Sequence, residues 1–211
     1  MSKQNKARFF ALKNAAHDLV RISGAHIALW QRPKIIYTSE KAKEKIRGGA
    51  LLIANHTGYY DPIYMMFGVP YRRQFFLVSE EVMDKPIGAL FRACRCIRID
   101  RENPSLATFR EIIARLKSGE VISMFPEGRI NRDDGTSQFK SGMVLMAVRS
   151  GVPIVPMYIK PKTKPAQRLT IVLGERVSVT ELYGEHPTFA QMDAATKLLY
   201  ERETQLRGFI K

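Results

Sequence analysis

The chain has 211 residues, 45% of them hydrophobic and 26% charged, enough to bury one proper core but too few for two full domains. That composition excludes an intrinsically disordered chain, and no uncharged apolar run approaches the roughly 20 residues that a membrane-spanning helix needs. Thirty-four Lys and Arg against 20 Asp and Glu leave a net charge of +14, which draws anionic partners and selects their sign rather than their identity.

The N-terminus is interrupted by Lys13, Asp18 and Arg21 and is too polar for the apolar core of a secretory signal. Residues 1–50 hold eleven Lys and Arg against Asp18, Glu40 and Glu44, so more than half of the surplus sits in the first quarter of the chain. Within residues 6–30, apolar side chains at 9, 12, 16, 19, 20, 27 and 30 keep near-helical spacing and predict a basic amphipathic helix. Phe and Trp on its apolar side suit a helix lying on a membrane surface, and equally one covering a core. Residues 1–31 are accordingly set apart from the domain at 32–211.

From residue 32 strands and helices alternate. Strands are predicted at 35–38, 50–54, 74–79, 96–99, 120–125, 153–159 and 169–173, from short apolar runs rich in β-branched and aromatic residues. Helices are predicted at 39–47, 61–68, 86–93, 104–118, 141–150 and about 188–208, that at 104 with Asn103 as N-cap, Pro104 at its first position and Gly119 past its end. This rhythm argues for a single α/β domain with a mostly parallel central sheet flanked by helices. Ligands of such sheets collect beyond the carboxyl ends of strands, which directs attention to the polar loop at 127–141.

Three strand ends carry candidate chemistry. After Ala54, His56 and Asp61 lie five apart across the turn Asn55-His56-Thr57-Gly58, and the reversal can bring them together. A carboxylate on one imidazole nitrogen leaves the other as a general base; with Pro62 following, Asp61 equally suits a helix N-cap. The run IRIDR at 97–101 puts Arg101 before a helix start, where an anion is favoured. The run VISMFPEGRI at 121–130 ends in Glu127-Gly128-Arg129, where glycine admits a ligand close to the backbone and the guanidinium forks onto phosphate oxygens; Lys140 opens the next helix.

Other chemistries find little support. No G-x-S-x-G, S-x-x-K or P-loop occurs, and no His, Cys and carboxylate cluster has metal spacing. Cys94 and Cys96 are too close for a normal disulfide and too few for a zinc site, which fits a reducing, cytoplasmic setting. C2H2 spacing, basic heptads and RNP-type aromatic strands are missing, arguing against nucleic acid as a partner.

In this order, NHTGYYD at 55–61, IDR at 99–101, FPEGR at 125–129 and VPIVP at 152–156 resemble the four sequence blocks of the glycerolipid acyltransferase family, whose best-known members are the 1-acyl-sn-glycerol-3-phosphate acyltransferases. The resemblance implies an O-acyltransferase moving a fatty acyl group from an acyl thioester, on coenzyme A or acyl carrier protein as co-substrate, to the hydroxyl of a lysophospholipid, with no bound cofactor or metal. It implies His56 and Asp61 as catalytic dyad, and Arg101, Glu127, Gly128 and Arg129 as holders of the phosphate-bearing acceptor. It leaves Val152 to Pro156 as a wall on the acyl side, and the apolar segment 62–70 as a groove for the chain or simply core. Many members have Thr between the Gly and Arg of the third block, whereas Arg129 follows Gly128 directly. Glycerol 3-phosphate or another lysophospholipid is therefore the alternative acceptor, and a non-catalytic lysolipid-binding domain the alternative class. The family also implies phospholipid biosynthesis at the cytoplasmic face of an anionic membrane, with the protein bound peripherally. The backbone N–H groups of Thr57 and Gly58 are candidates for holding the oxyanion.

Overall fold

The computed structural model describes residues 14–131, 139–162, 164 and 167–210. Seven strands form one sheet: β1 (Lys34–Tyr37), β2 (Ala50–Ala54), β3 (Gln74–Ser79), β4 (Ile97–Ile99), β5 (Val121–Met124), β6 (Ile154–Ile159) and β7 (Thr170–Leu173). Their order is β1-β7-β6-β2-β5-β3-β4, with every neighbouring pair parallel except β6 and β7. All seven predicted strands are present, within two residues of the expected ends, and the α/β expectation holds.

Strand β2 is wholly buried, which is why it reads as an unbroken apolar run rather than an alternating one. Its side chains divide by parity. Leu51 and Ile53 pack beneath α7 (Leu106–Lys117), α8 (Gly142–Ser150) and α10 (Phe189–Leu206), whereas Ala50, Leu52 and Ala54 pack with Met65 of α4 (Asp61–Gly68) and with Val69 just past its end on the other face. The chain leaves β2 for α4 and leaves the adjacent β5 for α8, so the two connections part to opposite faces. That parting opens a crevice at the carboxyl ends of β2 and β5.

Several local expectations are corrected. The N-terminal helix is two: α1 (Ala15–Ser23) and α2 (Ala25–Gln31), separated at Gly24; residues 6–13 of the predicted helix lie outside the described residues. His17, Asp18 and Arg21 of α1 face the protein. His17 Nε2 donates to the Gln74 carbonyl at 2.6 Å, Arg73 grips Asp18 at 2.6 Å, and Arg21 donates to the Pro70 carbonyl. Leu19, Ile22, Leu29 and Trp30 instead stand 67–79% exposed. Helix α7 begins after Ser105, whose hydroxyl accepts from Thr108 N, so Ser105 rather than Asn103 is the cap; Gly119 follows the end, as expected, with φ +89°. The predicted 39–47 helix contracts to α3 (Glu40–Lys43), while α5 (Glu80–Met83) and α9 (Val179–Tyr183) are turns too short for periodicity to reveal; α6 (Gly88–Ala93) matches. Among the described residues, no helix is long and apolar enough to cross a membrane.

Candidate active site

The crevice is where the sequence blocks meet. Asn55, at the end of β2, donates through its amide to the Ile159 carbonyl (2.9 Å) and accepts from the Ile159 N–H (2.8 Å), clasping β2 to β6 immediately before His56. The chain then turns back into α4. His56 Nδ1 donates to Asp61 Oδ2 at 2.9 Å, and the Thr57 and Gly58 N–H groups donate to the same oxygen at 2.6 and 2.8 Å. Asp61 is thus the first residue of α4, not its N-cap, and its carboxylate braces the turn that carries the histidine. The side chain of Asp61 is 4% exposed and that of His56 17%, so the carboxylate is shielded while the imidazole still reaches the crevice.

Two consequences follow. With Nδ1 occupied by Asp61, Nε2 is the nitrogen left for a substrate proton. The Thr57 and Gly58 N–H groups are consumed by Asp61 and are not oxyanion donors.

Strand β5 supplies the other wall. The Phe125 ring stacks on a face of His56, centroids 3.9 Å apart and planes 14° from parallel, so the imidazole is held across its face as well as by its in-plane hydrogen bond. Glu127 Oε1 accepts from the His56 N–H at 3.4 Å, and the His56 carbonyl accepts from Asn131 N at 2.7 Å. Gly128 holds a left-handed φ of +72° that glycine adopts without cost. Its carbonyl accepts from Arg101 Nη1 at 2.6 Å, while Arg101 Nη2 meets Glu81 at 2.6 Å. Lys140 Nζ donates to the Arg101 carbonyl at 2.7 Å and to Glu102 at 3.2 Å. Arg129 is exposed and makes no hydrogen bond or ion pair among the described residues.

His56, Asp61, Glu127 and Gly128 are therefore brought together in one bonded constellation, with Arg101 tied to it through Gly128. Residues 132–138 of the expected ligand loop lie outside the described residues. The fourth block is a core strand: Pro156 in β6 stands opposite Ile53 of β2, with Ile154 and Val155 buried on either side of the sheet. Met65 and Val69 of the 62–70 segment are core too. Sequence reading gave no role to Phe125 or Asn55, although each is the first residue of a quoted block, and none to Glu81, signalled only by paired glutamates after a strand. Cys96, partly buried, has its thiol pushed up to about 11 by burial, which removes it as a nucleophile near neutral pH. Among the described residues no group of His, Cys, Asp and Glu is arranged to hold a metal ion.

The sequence profile of the acyltransferase family matches residues 34–160, from β1 to just past β6, and so takes in the whole crevice. The chain belongs to the acyltransferase family. Its relatives include proteins named 1-acyl-sn-glycerol-3-phosphate acyltransferase from Bacillus subtilis (25% identical over 166 residues, 76% of this chain and 82% of that protein) and Limnanthes douglasii (32% over 141 residues, 65% and 49%). Another, from Streptococcus pneumoniae, is 30% identical over 139 residues, 63% of this chain and 51% of that one. This acyltransferase-family chain thus spans most of the Bacillus relative but about half the length of the other two. Its fold is shared with the crystal structure of the 1-acyl-sn-glycerophosphate (LPA) acyltransferase of Thermotoga maritima: TM-score 0.69 at 20% identity, covering 99% of this chain and 83% of that one.

Proposed function

We propose that the protein transfers a fatty acyl group from an acyl thioester to the free hydroxyl of a lysophospholipid, with 1-acyl-sn-glycerol 3-phosphate as acceptor and phosphatidic acid as product. The His56–Asp61 hydrogen bond in the crevice carries this reading, and the names of the relatives supply the acceptor. His56 Nε2 removes the hydroxyl proton as the oxygen attacks the thioester carbonyl; Asp61 steadies the resulting imidazolium. When the tetrahedral intermediate collapses, the thiolate of coenzyme A or acyl carrier protein leaves with the proton returned by His56. No acyl-enzyme is needed. Arg129, exposed and uncommitted among the described residues, meets the acceptor's phosphate, with Arg101 beside Gly128 as the second cation. Glu127 shapes this pocket through the His56 backbone.

The protein works on the cytoplasmic face of a membrane without spanning it, with residues 1–31 as a surface element and 32–211 as the catalytic domain. The outward apolar row Leu19, Ile22, Leu29 and Trp30 supports this, since an apolar helix face turned to water gains by entering the headgroup–acyl boundary of a membrane. Basic residues Lys160, Lys162, Lys164 and Arg168 follow β6 on the edge that bears His56, and Lys162 lies 5.6 Å from the Trp30 ring centre, which favours anionic lipid.

The test is purified protein with both thioester donors against lysophosphatidate, glycerol 3-phosphate and lysophosphatidylethanolamine, with products identified by mass spectrometry. Phosphatidic acid formation that His56→Ala abolishes supports the reading; a lysolipid bound without turnover refutes it. Arg129→Ala should raise the acceptor KM with the thioester KM unchanged, and equal effects on both would refute the clamp.

A further inference from the structure

Arg101 is offered to a phosphate, yet both of its terminal nitrogens are already engaged. The two bonds differ in kind. Nη1 holds the carbonyl of Gly128, whose left-handed backbone shapes the loop, so breaking it would move the loop. Nη2 holds Glu81, on a helix of a single turn, and the Glu81 side chain is 77% exposed. Such a carboxylate can leave for water at little cost, because exposed ion pairs are weak. Lys140 repeats the arrangement, one bond to the Arg101 carbonyl and one to Glu102, whose side chain is 89% exposed. Arg101 and Lys140 are thus each fixed by a backbone oxygen and covered by a loosely held glutamate.

We propose that Glu81 is a displaceable stand-in for the acceptor's phosphate. It covers Nη2 of Arg101 in the free enzyme, yields to a phosphate oxygen when the acceptor binds, and returns as the product leaves. A phosphomonoester carries more charge than a carboxylate and more acceptor oxygens, so it wins the exchange while Nη1 keeps the loop in place. The carboxylate lowers affinity for acceptor and product alike, which keeps a product bearing the same phosphate from being retained. The proposal rests on the clamp described above.

Glu81→Gln keeps the shape and removes the charge. The acceptor KM should fall about two- to five-fold, the fold-change expected for losing one exposed ion pair, with the thioester KM unchanged. Competitive inhibition by inorganic phosphate and by phosphatidic acid should tighten by a similar factor. In an Arg101→Gln background, Glu81→Gln should change none of these values. An acceptor KM that is unchanged or raised by Glu81→Gln in the native background would overturn the proposal and make Glu81 a brace for Arg101. If Arg101→Gln and Arg129→Ala both leave the acceptor KM unchanged, the clamp itself fails and the proposal with it. If those two raise it and only Glu81→Gln has no effect, the clamp stands and the stand-in does not.

Discussion

Replacing Asp61 by Asn separates what the carboxylate does for the turn from what it does for the histidine. An amide oxygen placed where Oδ2 lies still accepts from His56 Nδ1, Thr57 and Gly58, now 2.9, 2.6 and 2.8 Å away, so the turn keeps its shape. What disappears is the negative charge. Two charge-assisted backbone bonds weaken by about 1 kcal/mol each, a stability loss of about 2 kcal/mol. In catalysis, an imidazolium and a carboxylate with centres about 4 Å apart attract by about 4 kcal/mol at an effective dielectric near 20, or about a thousandfold in rate at 1.36 kcal/mol per tenfold. Single-turnover acyl transfer should therefore slow by about 10²–10⁴ for Asp61→Asn, with circular dichroism intact and Tm lowered by only a few degrees. In a His56→Ala background the same substitution should leave the residual rate within a few-fold, since the two residues act as one unit. A variant that keeps a tenth of the native rate, or an undiminished effect without His56, would refute the dyad.

Phe125→Leu removes the ring stacked on His56 and should cost about 0.5–1.5 kcal/mol of positioning, a two- to tenfold loss in kcat with the KM values held; no change would mean that the stack is incidental. Leu29→Glu with Trp30→Glu should weaken sedimentation with anionic vesicles by at least about tenfold while leaving transfer to a short-chain, water-soluble acceptor intact; unaltered sedimentation would refute the outward face as lipid-binding. Burial holds His17 below the usual histidine range. As pH falls through about 6.5 the unfolded chain takes up a proton that the folded chain, with Asp18, Arg21 and Arg73 around the ring, does not, so stability drops on acidification. The Tm of His17→Gln, which keeps an N–H for the Gln74 carbonyl, should change less between pH 7.5 and 5.5 than the native Tm; parallel curves would refute this.

Most of the sheet was legible because its central strands are buried on both faces and announce themselves as apolar runs, as ALLIA in β2 does. The dyad was legible because a turn between a strand and a helix can close His56 onto Asp61 locally. What escaped depends on partners distant in sequence. Amphipathic spacing marks two sides of a helix without saying which one the protein holds; here His17, Asp18 and Arg21 find hydrogen bonds 49–57 residues away and the apolar side is left outward. The bond from Arg101 to Glu81 joins two strand ends that adjoin only once β3 and β4 pair. Ser105 capped α7 in place of Asn103 because both residues suit the position and local chemistry alone does not rank them.

The Asn55 clasp has a bearing on how the protein is born. Strand β2 is synthesised before both of its neighbours, residues 121–124 and 154–159, and the amide of Asn55 waits for a backbone 104 residues downstream. Synthesis must therefore pass residue 159 before the histidine-bearing turn gains its anchor, so nascent chains ending before β6 hold His56 and Asp61 without the clasp that fixes the turn.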